Sequence, residues 1–222
     1  MKLALLLPGF LDSPDYTHMT TFDTRLTRLG YTVVRIDPCN LWSTNNMSAY
    51  TVTNYINQVI TCIASFKMNA PSEVVLIGHS LGALVSIVVG NWITDITKVV
   101  SLCCPGDISN LAEKWQGKKM IHSERDLPNN PSQKRSFEVP YDFVTDGLQY
   151  SAIQEVKTLH KPLMVFIAEN DAPSNIDNNE KMVAEARSPY VVRQPHMGHN
   201  FRLSPQECDI VADHIENFLT TS

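Results

Sequence analysis

Long apolar runs are missing from this 222-residue chain. A membrane helix needs roughly 20 consecutive apolar residues; no segment approaches that, so no membrane span is expected. Cysteine is sparse and unpatterned: Cys39, Cys62, Cys103, Cys104 and Cys208 are an odd number without paired spacing. That argues against a disulfide framework and fits a reducing, cytoplasmic setting. Positive charge is not in excess. With 18 Lys plus Arg against 23 Asp plus Glu, the formal net charge is −5, which speaks against a dedicated nucleic-acid binder. Repeats and low-complexity tracts are absent too. What is left is an ordinary globular composition, of a length suited to one domain over residues 1–222.

Short apolar runs recur along the chain, at Lys2–Leu7, Tyr31–Ile36, Glu73–Ile77, Lys98–Cys104, Pro162–Ala168 and Pro189–Arg193. They are apolar at consecutive rather than alternate positions, which predicts strands buried on both faces. The first, in "MKLALLLPGF", stops after Leu7 with no small-residue cleavage site, so it reads as a strand and not as an export signal. Helical patterns lie between, over Tyr16–Leu29, Met47–Phe66, Leu81–Thr94, Ile176–Ala186 and Ser204–Leu219. Ser204 suits an N-cap, with Pro205 at the first helical position and Glu207 three residues after the cap. Gly30 is placed to stop the first helix. The alternation predicts an α/β fold: a mostly parallel sheet of about six strands with helices on both faces. Functional groups are then expected beyond the carboxyl ends of the strands.

One segment breaks the rhythm. Residues 105–161 form a connection too long for an ordinary crossover, and their middle, "DLPNNPSQKRSFEVP", is rich in Pro, Asn and charge. This predicts a lid-like insertion over the sheet, irregular in its centre and flanked by helices near Ile108–Trp115 and Ser151–Leu159.

The strand ends carry a pattern. "EVVLIGHSLG" puts Ser80 between Gly78 and Gly82 in G-x-S-x-G, a spacing that a sharp strand-to-helix turn requires. Asp171 follows the fifth run, and His199 follows the sixth in "HMGHNF". A serine hydroxyl is a weak nucleophile at neutral pH. It needs a base, and the base needs a carboxylate to fix its tautomer. Ser80, Asp171 and His199 supply those three types at one sheet edge, in the chain order of a nucleophile elbow.

On these motifs the sequence resembles the α/β-hydrolase superfamily. "LIGHSLG" resembles the elbow, "PLMVFIAEND" the acid-bearing strand and "MGHNF" the loop of the base, while the stretch leading into the acid resembles that of small esterases and acyl hydrolases. The resemblance implies Ser80 as nucleophile, His199 as general base and then acid, and Asp171 as orienting carboxylate. It implies an oxyanion hole from the backbone N–H groups of Leu81 and, after the first strand, Phe10. Two departures stand out. Pro8-Gly9 replaces the His-Gly of many relatives, and "DPCNLWST" stands where D-x-x-G-x-G-x-S is common, so Asn40 and Trp42 take glycine places and Trp42 is expected to narrow the pocket. "APSN" after Asp171 is also shorter and more polar than usual.

Blander readings compete at several positions. His79 suits turn packing more than catalysis, and Glu169 and Asp177 are alternatives to Asp171. His196 and His199 spell H-x-x-H, but no third ligand cluster accompanies them, so no metal and no other cofactor is expected. The basic residues Lys114, Lys118, Lys119, Arg125, Lys134 and Arg135 read as a solvated face or as a lure for an anion; Trp115 and Met120 read as packing or as an acyl pocket. The expected function is hydrolysis of a small-molecule ester or thioester through an acyl-enzyme. The alternatives are a non-catalytic binding protein on the same fold, or a C–C or amide hydrolase using the same triad.

Overall fold

Along β1 (Lys2–Leu7), Leu3, Leu5 and Leu7 enter one core and Ala4 and Leu6 another, all five buried. Strands pleat with period two, so an unbroken apolar run demands cover on both faces. A computed structural model, which describes residues 1–172 and 176–221, provides it. β1 lies between β2 (Tyr31–Arg35) and β3 (Glu73–His79). Beyond β3 follow β4 (Lys98–Leu102), β7 (Leu163–Ala168) and β8 (Tyr190–Gln194), giving the order β2-β1-β3-β4-β7-β8 with every pairing parallel. These are the six expected strands, with ends shifted by no more than two residues, but β2 and β8 lie at the sheet edges and, contrary to expectation, are not buried on both faces.

On one face, α1 (Thr17–Arg28) and α9 (Pro205–Thr221) cover Ala4 and Leu6 with Met19, Phe22, Leu26, Val211 and Ile215. On the other, α3 (Val52–Ser65) and α4 (Leu81–Trp92) cover Leu3 and Leu5 with Val59, Ile63, Leu84 and Val88. α7 (Ala152–Glu155) and α8 (Ile176–Glu185) extend that layer. The Ser204 hydroxyl accepts from Glu207 N at 3.3 Å, as its capping pattern implies. The helix expected from Met47 begins only at Val52, because Thr51 accepts from Asn54 N and caps it there. Met47–Ala49 is a separate 3-10 turn, preceded by the single-turn α2 (Leu41–Thr44). Among the described residues, no helix is long and apolar enough to cross a membrane.

The sheet order explains where a crevice opens. From β1 the chain moves outward to β2, while from β3 it moves the opposite way to β4. The loops leaving β1 and β3 therefore diverge, and a cleft forms beyond the carboxyl ends of those two strands.

The expectation of an irregular centre in 105–161 is corrected. After α5 (Ser109–Lys114), β5 (Met120–Leu127) and β6 (Asn130–Pro140) form an antiparallel hairpin with Pro128 and Asn129 in its turn, followed by α6 (Asp142–Gly147). Prolines demote a segment as a strand only where they interrupt a ladder. Here Pro128 is in the turn, and Pro131 and Pro140 lie near the two ends of β6. Beneath them Phe137 and Val139 alternate inward between exposed Ser136 and Glu138. Of the "APSN" stretch, Pro173, Ser174 and Asn175 lie outside the described residues.

Candidate active site

Ser80 sits between β3 and α4 with φ 54° and ψ −117°, a left-handed backbone that few non-glycine residues adopt. The flanking glycines allow it. A Cβ on Gly78 would lie 2.1 Å from Gly82 O, and one on Gly82 would lie 2.0 Å from Leu7 O. The turn is thus packed so tightly against the β1 end that no side chain fits at either place, and the serine hydroxyl is pushed into the cleft.

Three groups far apart in sequence meet there. Ser80 Oγ is 3.0 Å from His199 Nε2. His199 Nδ1 is 2.9 and 2.8 Å from the two oxygens of Asp171, whose side chain is 1% exposed. A carboxylate can only accept, so Nδ1 carries the proton and Nε2 is left to accept from the serine hydroxyl. The competing acids do not join this contact: Glu169 is exposed, and Asp177 opens α8. His196 is exposed on the same loop as His199.

The loop after β1 is held almost atom by atom. Tyr55 Oη donates to Pro8 O (3.1 Å), and Leu11 N donates to Tyr50 Oη (2.7 Å). Trp42 Nε1 donates to Leu11 O (3.2 Å), and Arg125 Nη2 to Phe10 O (2.9 Å). Asp12 N closes the turn onto Gly9 O at 3.1 Å. In contrast, neither Phe10 N nor Leu81 N has an acceptor among the described residues. Leu81 is the first residue of α4, where helical geometry leaves the N–H without a partner. Both residues line the cleft with Ser80 and His199.

Trp42 does not narrow the pocket, contrary to the expectation from its place in "DPCNLWST". It stacks edge-on against Tyr16 and Phe137, with the Arg135 guanidinium 4.9 Å over its ring, and props the hairpin instead. Asn40 does take over from glycine in backbone terms, at φ 55°. The cleft, about 670 Å³, has an apolar arm of Phe10, Leu81, Ile108, Leu111, Trp115 and Phe143. Its other arm is charged, with Asp12, Arg125, Asp126, Lys134 and Arg202. Trp115 faces the cleft, whereas Met120 is half exposed and outside it. The basic residues are not one solvated face: Arg125 and Arg135 turn inward onto backbone carbonyls.

A buried polar layer beneath the site had no local signal in the sequence. His79 Nε2 is 3.2 Å from His199 O, and its Nδ1 is 3.7 Å from Asp12 Oδ2. Burial raises the Asp12 pKa, but His79, Arg125 and Arg202 outweigh it and hold the carboxyl well below its usual range. His18 packs on His79 with ring centroids 5.0 Å apart, fully buried, neither ring nitrogen hydrogen-bonded among the described residues. Donor atoms of Asp12, His18 and His79 lie within 4.8 Å of one another. Arg125 and Arg202 already balance the acids there, and their fixed charges disfavour a divalent cation. Cys103, behind Asp171, has its thiol pushed well up by burial and the nearby carboxylate, which keeps it protonated.

Residues 43–162 match the family described as "PGAP1-like alpha/beta domain". No curated protein matches the chain. Among solved structures, the chain is similar to Est1E from Butyrivibrio proteoclasticus with ferulic acid bound (TM-score 0.78, 14% identity, 99% of this chain and 88% of that one). It is also similar to alpha/beta hydrolase domain-containing protein 10 from mouse (0.77, 14%, 98% and 89%). A third is the esterase domain of a Rhodothermus marinus protein (0.71, 20%, 96% and 84%). Likeness at these identities establishes the fold, that of α/β hydrolases.

Proposed function

This chain belongs to the PGAP1-like alpha/beta domain family, within the α/β-hydrolase superfamily, and on that premise we propose that it is a serine hydrolase cleaving a carboxylic ester or thioester of a small substrate. One observation carries the reading: the continuous contact from Asp171 through His199 to the Ser80 hydroxyl. The structural likeness to the esterase domain of the Rhodothermus marinus protein supports the same class.

In this reading Ser80 Oγ attacks the carbonyl carbon while its proton passes to His199 Nε2. Asp171 steadies the imidazolium and does not itself take the proton. The amides of Phe10 and Leu81, free of other acceptors, receive the developing oxyanion; each such donor is worth roughly a hundred- to a thousandfold in rate. His199 returns the proton to the departing alcohol or thiol, leaving an acyl group on Ser80. Water then enters, His199 deprotonates it, and the acyl-enzyme is hydrolysed by the same steps in reverse. The apolar arm of Leu111, Trp115 and Phe143 suits the acyl group, and the charged arm suits a polar leaving group.

The test is a panel of p-nitrophenyl esters and acyl thioesters, with fluorophosphonate labelling. Wild type is expected to turn over at least one member and to be labelled at Ser80, and Ser80→Ala to do neither. Full hydrolysis by Ser80→Ala would remove the serine mechanism. A folded wild type that is neither labelled nor active would remove the hydrolase.

A further inference from the structure

Two adjacent hairpin residues reach the two loops that frame Ser80. Arg125 contacts the loop after β1: its Nη2 and Nε lie 2.9 and 3.2 Å from Phe10 O, and Nε is also 3.2 Å from Asp12 Oδ1. Its Nη1 is bound to Glu124 O at 3.0 Å. Every guanidinium nitrogen therefore has a protein acceptor. The side chain also lines the cleft, where Nη1 and Nη2 each keep a second N–H. Asp126 turns the other way. It accepts two bonds from Arg202, at 2.9 and 2.6 Å, three positions after His199. Arg202 is 8% exposed and lies 4.1 Å over the Tyr16 ring, while Tyr16 Oη donates to Asp126 O at 2.7 Å.

We infer that Arg125 is a positioning residue for the oxyanion donor at Phe10, and that the β5–β6 hairpin is a fixed strut joining the loop after β1 to the loop after β8. This rests on the proposed serine hydrolase reading, because it concerns the Phe10 amide assigned there to the oxyanion. The strut is needed for a backbone reason. Leu11 is at φ 58°, a conformation its side chain disfavours, so the turn persists only while its neighbours are tied down. Arg125 holds the carbonyl of Phe10 and Tyr50 the N–H of Leu11, so the Phe10–Leu11 peptide is pinned from both sides; without Arg125 one side is loose, and the Phe10 N–H drifts from the carbonyl at Ser80. A charged fork in a part-buried place does this better than a neutral donor. Lysine, with one ammonium point, cannot span Phe10 O and Asp12 as the fork does. Asp126 with Arg202 fixes the facing loop from the same two-residue unit, so donor and base keep one separation.

Full-length Arg125→Ala, Arg125→Lys and Asp126→Asn are compared with wild type and Ser80→Ala on a p-nitrophenyl ester that wild type hydrolyses. The measurements are kcat and KM separately, the phosphonylation rate with a fluorophosphonate, and amide hydrogen exchange over residues 9–12. Arg125→Ala is expected to lower kcat and phosphonylation roughly tenfold to a hundredfold, with KM within about threefold. Exchange at 9–12 rises, and Arg125→Lys recovers only part of the rate. Asp126→Asn is expected to lower kcat with exchange at 9–12 little changed. Should Arg125→Ala fail to fold, Arg125→Lys carries the test. A kcat within twofold of wild type in both Arg125 variants, beside an inactive Ser80→Ala, overturns the strut and leaves the hydrolase standing. A loss confined to KM overturns it in favour of substrate binding. Activity in Ser80→Ala instead removes the reading on which the strut depends.

Discussion

His79 Nε2 lies 3.2 Å from the main-chain oxygen of His199, so the residue before the proposed nucleophile holds the backbone of the proposed base. A carbonyl can only accept, so the proton on His79 sits on Nε2. His79→Phe keeps a ring against Phe201 and His18 but loses the donor. The expected outcome is a roughly tenfold fall in kcat with KM nearly unchanged, because the loop drifts without losing the pocket. Steady-state kinetics on any hydrolysed ester checks it; an equal loss in both constants would assign His79 to packing alone.

Gly82→Ala tests the elbow as a packing device. The new methyl would meet Leu7 O at 2.0 Å and Pro8 O at 2.6 Å, both backbone atoms that cannot step aside without moving β1. Overpacking of this severity exceeds the usual 1–3 kcal/mol of a tolerated insertion. The variant is expected to be insoluble or to melt far below wild type, where Gly30→Ala, with open space around it but φ +84°, costs only about 1–2 kcal/mol. Thermal melts of the two variants distinguish the cases.

The middle of the sheet was legible because β1, β3, β4 and β7 are buried on both faces, and a run such as Val74–Ile77 has no other stable use. Ser80 and Asp171 each follow such a strand, whereas His199 follows the edge strand β8, of which only Val192 is buried. The hairpin was not legible, since its buried face rests on a few residues, Ile121, Phe137 and Val139, amid charge and proline. The roles of Arg125, Asp126 and Arg202 were hidden for a different reason. Their partners lie 113 and 115 positions away for Arg125, and 76 for Arg202 with Asp126. Only the hairpin's docking brings them together, and no local pattern encodes that. Trp42 was misplaced because a glycine-for-tryptophan exchange says that a loop is bulkier but not which way the bulk points.

The apolar arm of the cleft should set acyl length. Leu111 is partly buried, lies on α5 and lines that arm beside Trp115. Leu111→Trp fills space without touching Ser80 or His199. On p-nitrophenyl esters, kcat/KM for octanoate is expected to fall at least tenfold relative to acetate, since a lost methylene contact is worth about 0.8 kcal/mol and several are lost together. An unchanged chain-length profile would put the acyl group in the other arm.

Acid should unfold this protein earlier than its carboxylates alone require. Burial pushes His18 well below its ordinary value of 6.5, with the neighbouring His79 adding to the effect and Asp12 opposing it. Burial lowers His79 too. The unfolded chain takes up protons on these rings near pH 6.5 while the folded chain does not, so stability falls as pH drops below that value and is retained above it. Each pH unit below 6.5 therefore weakens the fold further for as long as the His18 ring stays neutral. Asp12 acts elsewhere: held well below its usual range, it contributes above pH 3.8 and loses that contribution only in stronger acid. His18→Phe places an apolar ring among Phe22, Phe201 and Tyr16, and removes two buried nitrogens without partners among the described residues. Urea titrations at pH 5, 6 and 7 are expected to show wild type losing stability toward pH 5, and His18→Phe losing clearly less over the same span. Parallel curves for the two proteins would mean that the His18 ring takes its proton in the folded state, and that burial does not keep it neutral.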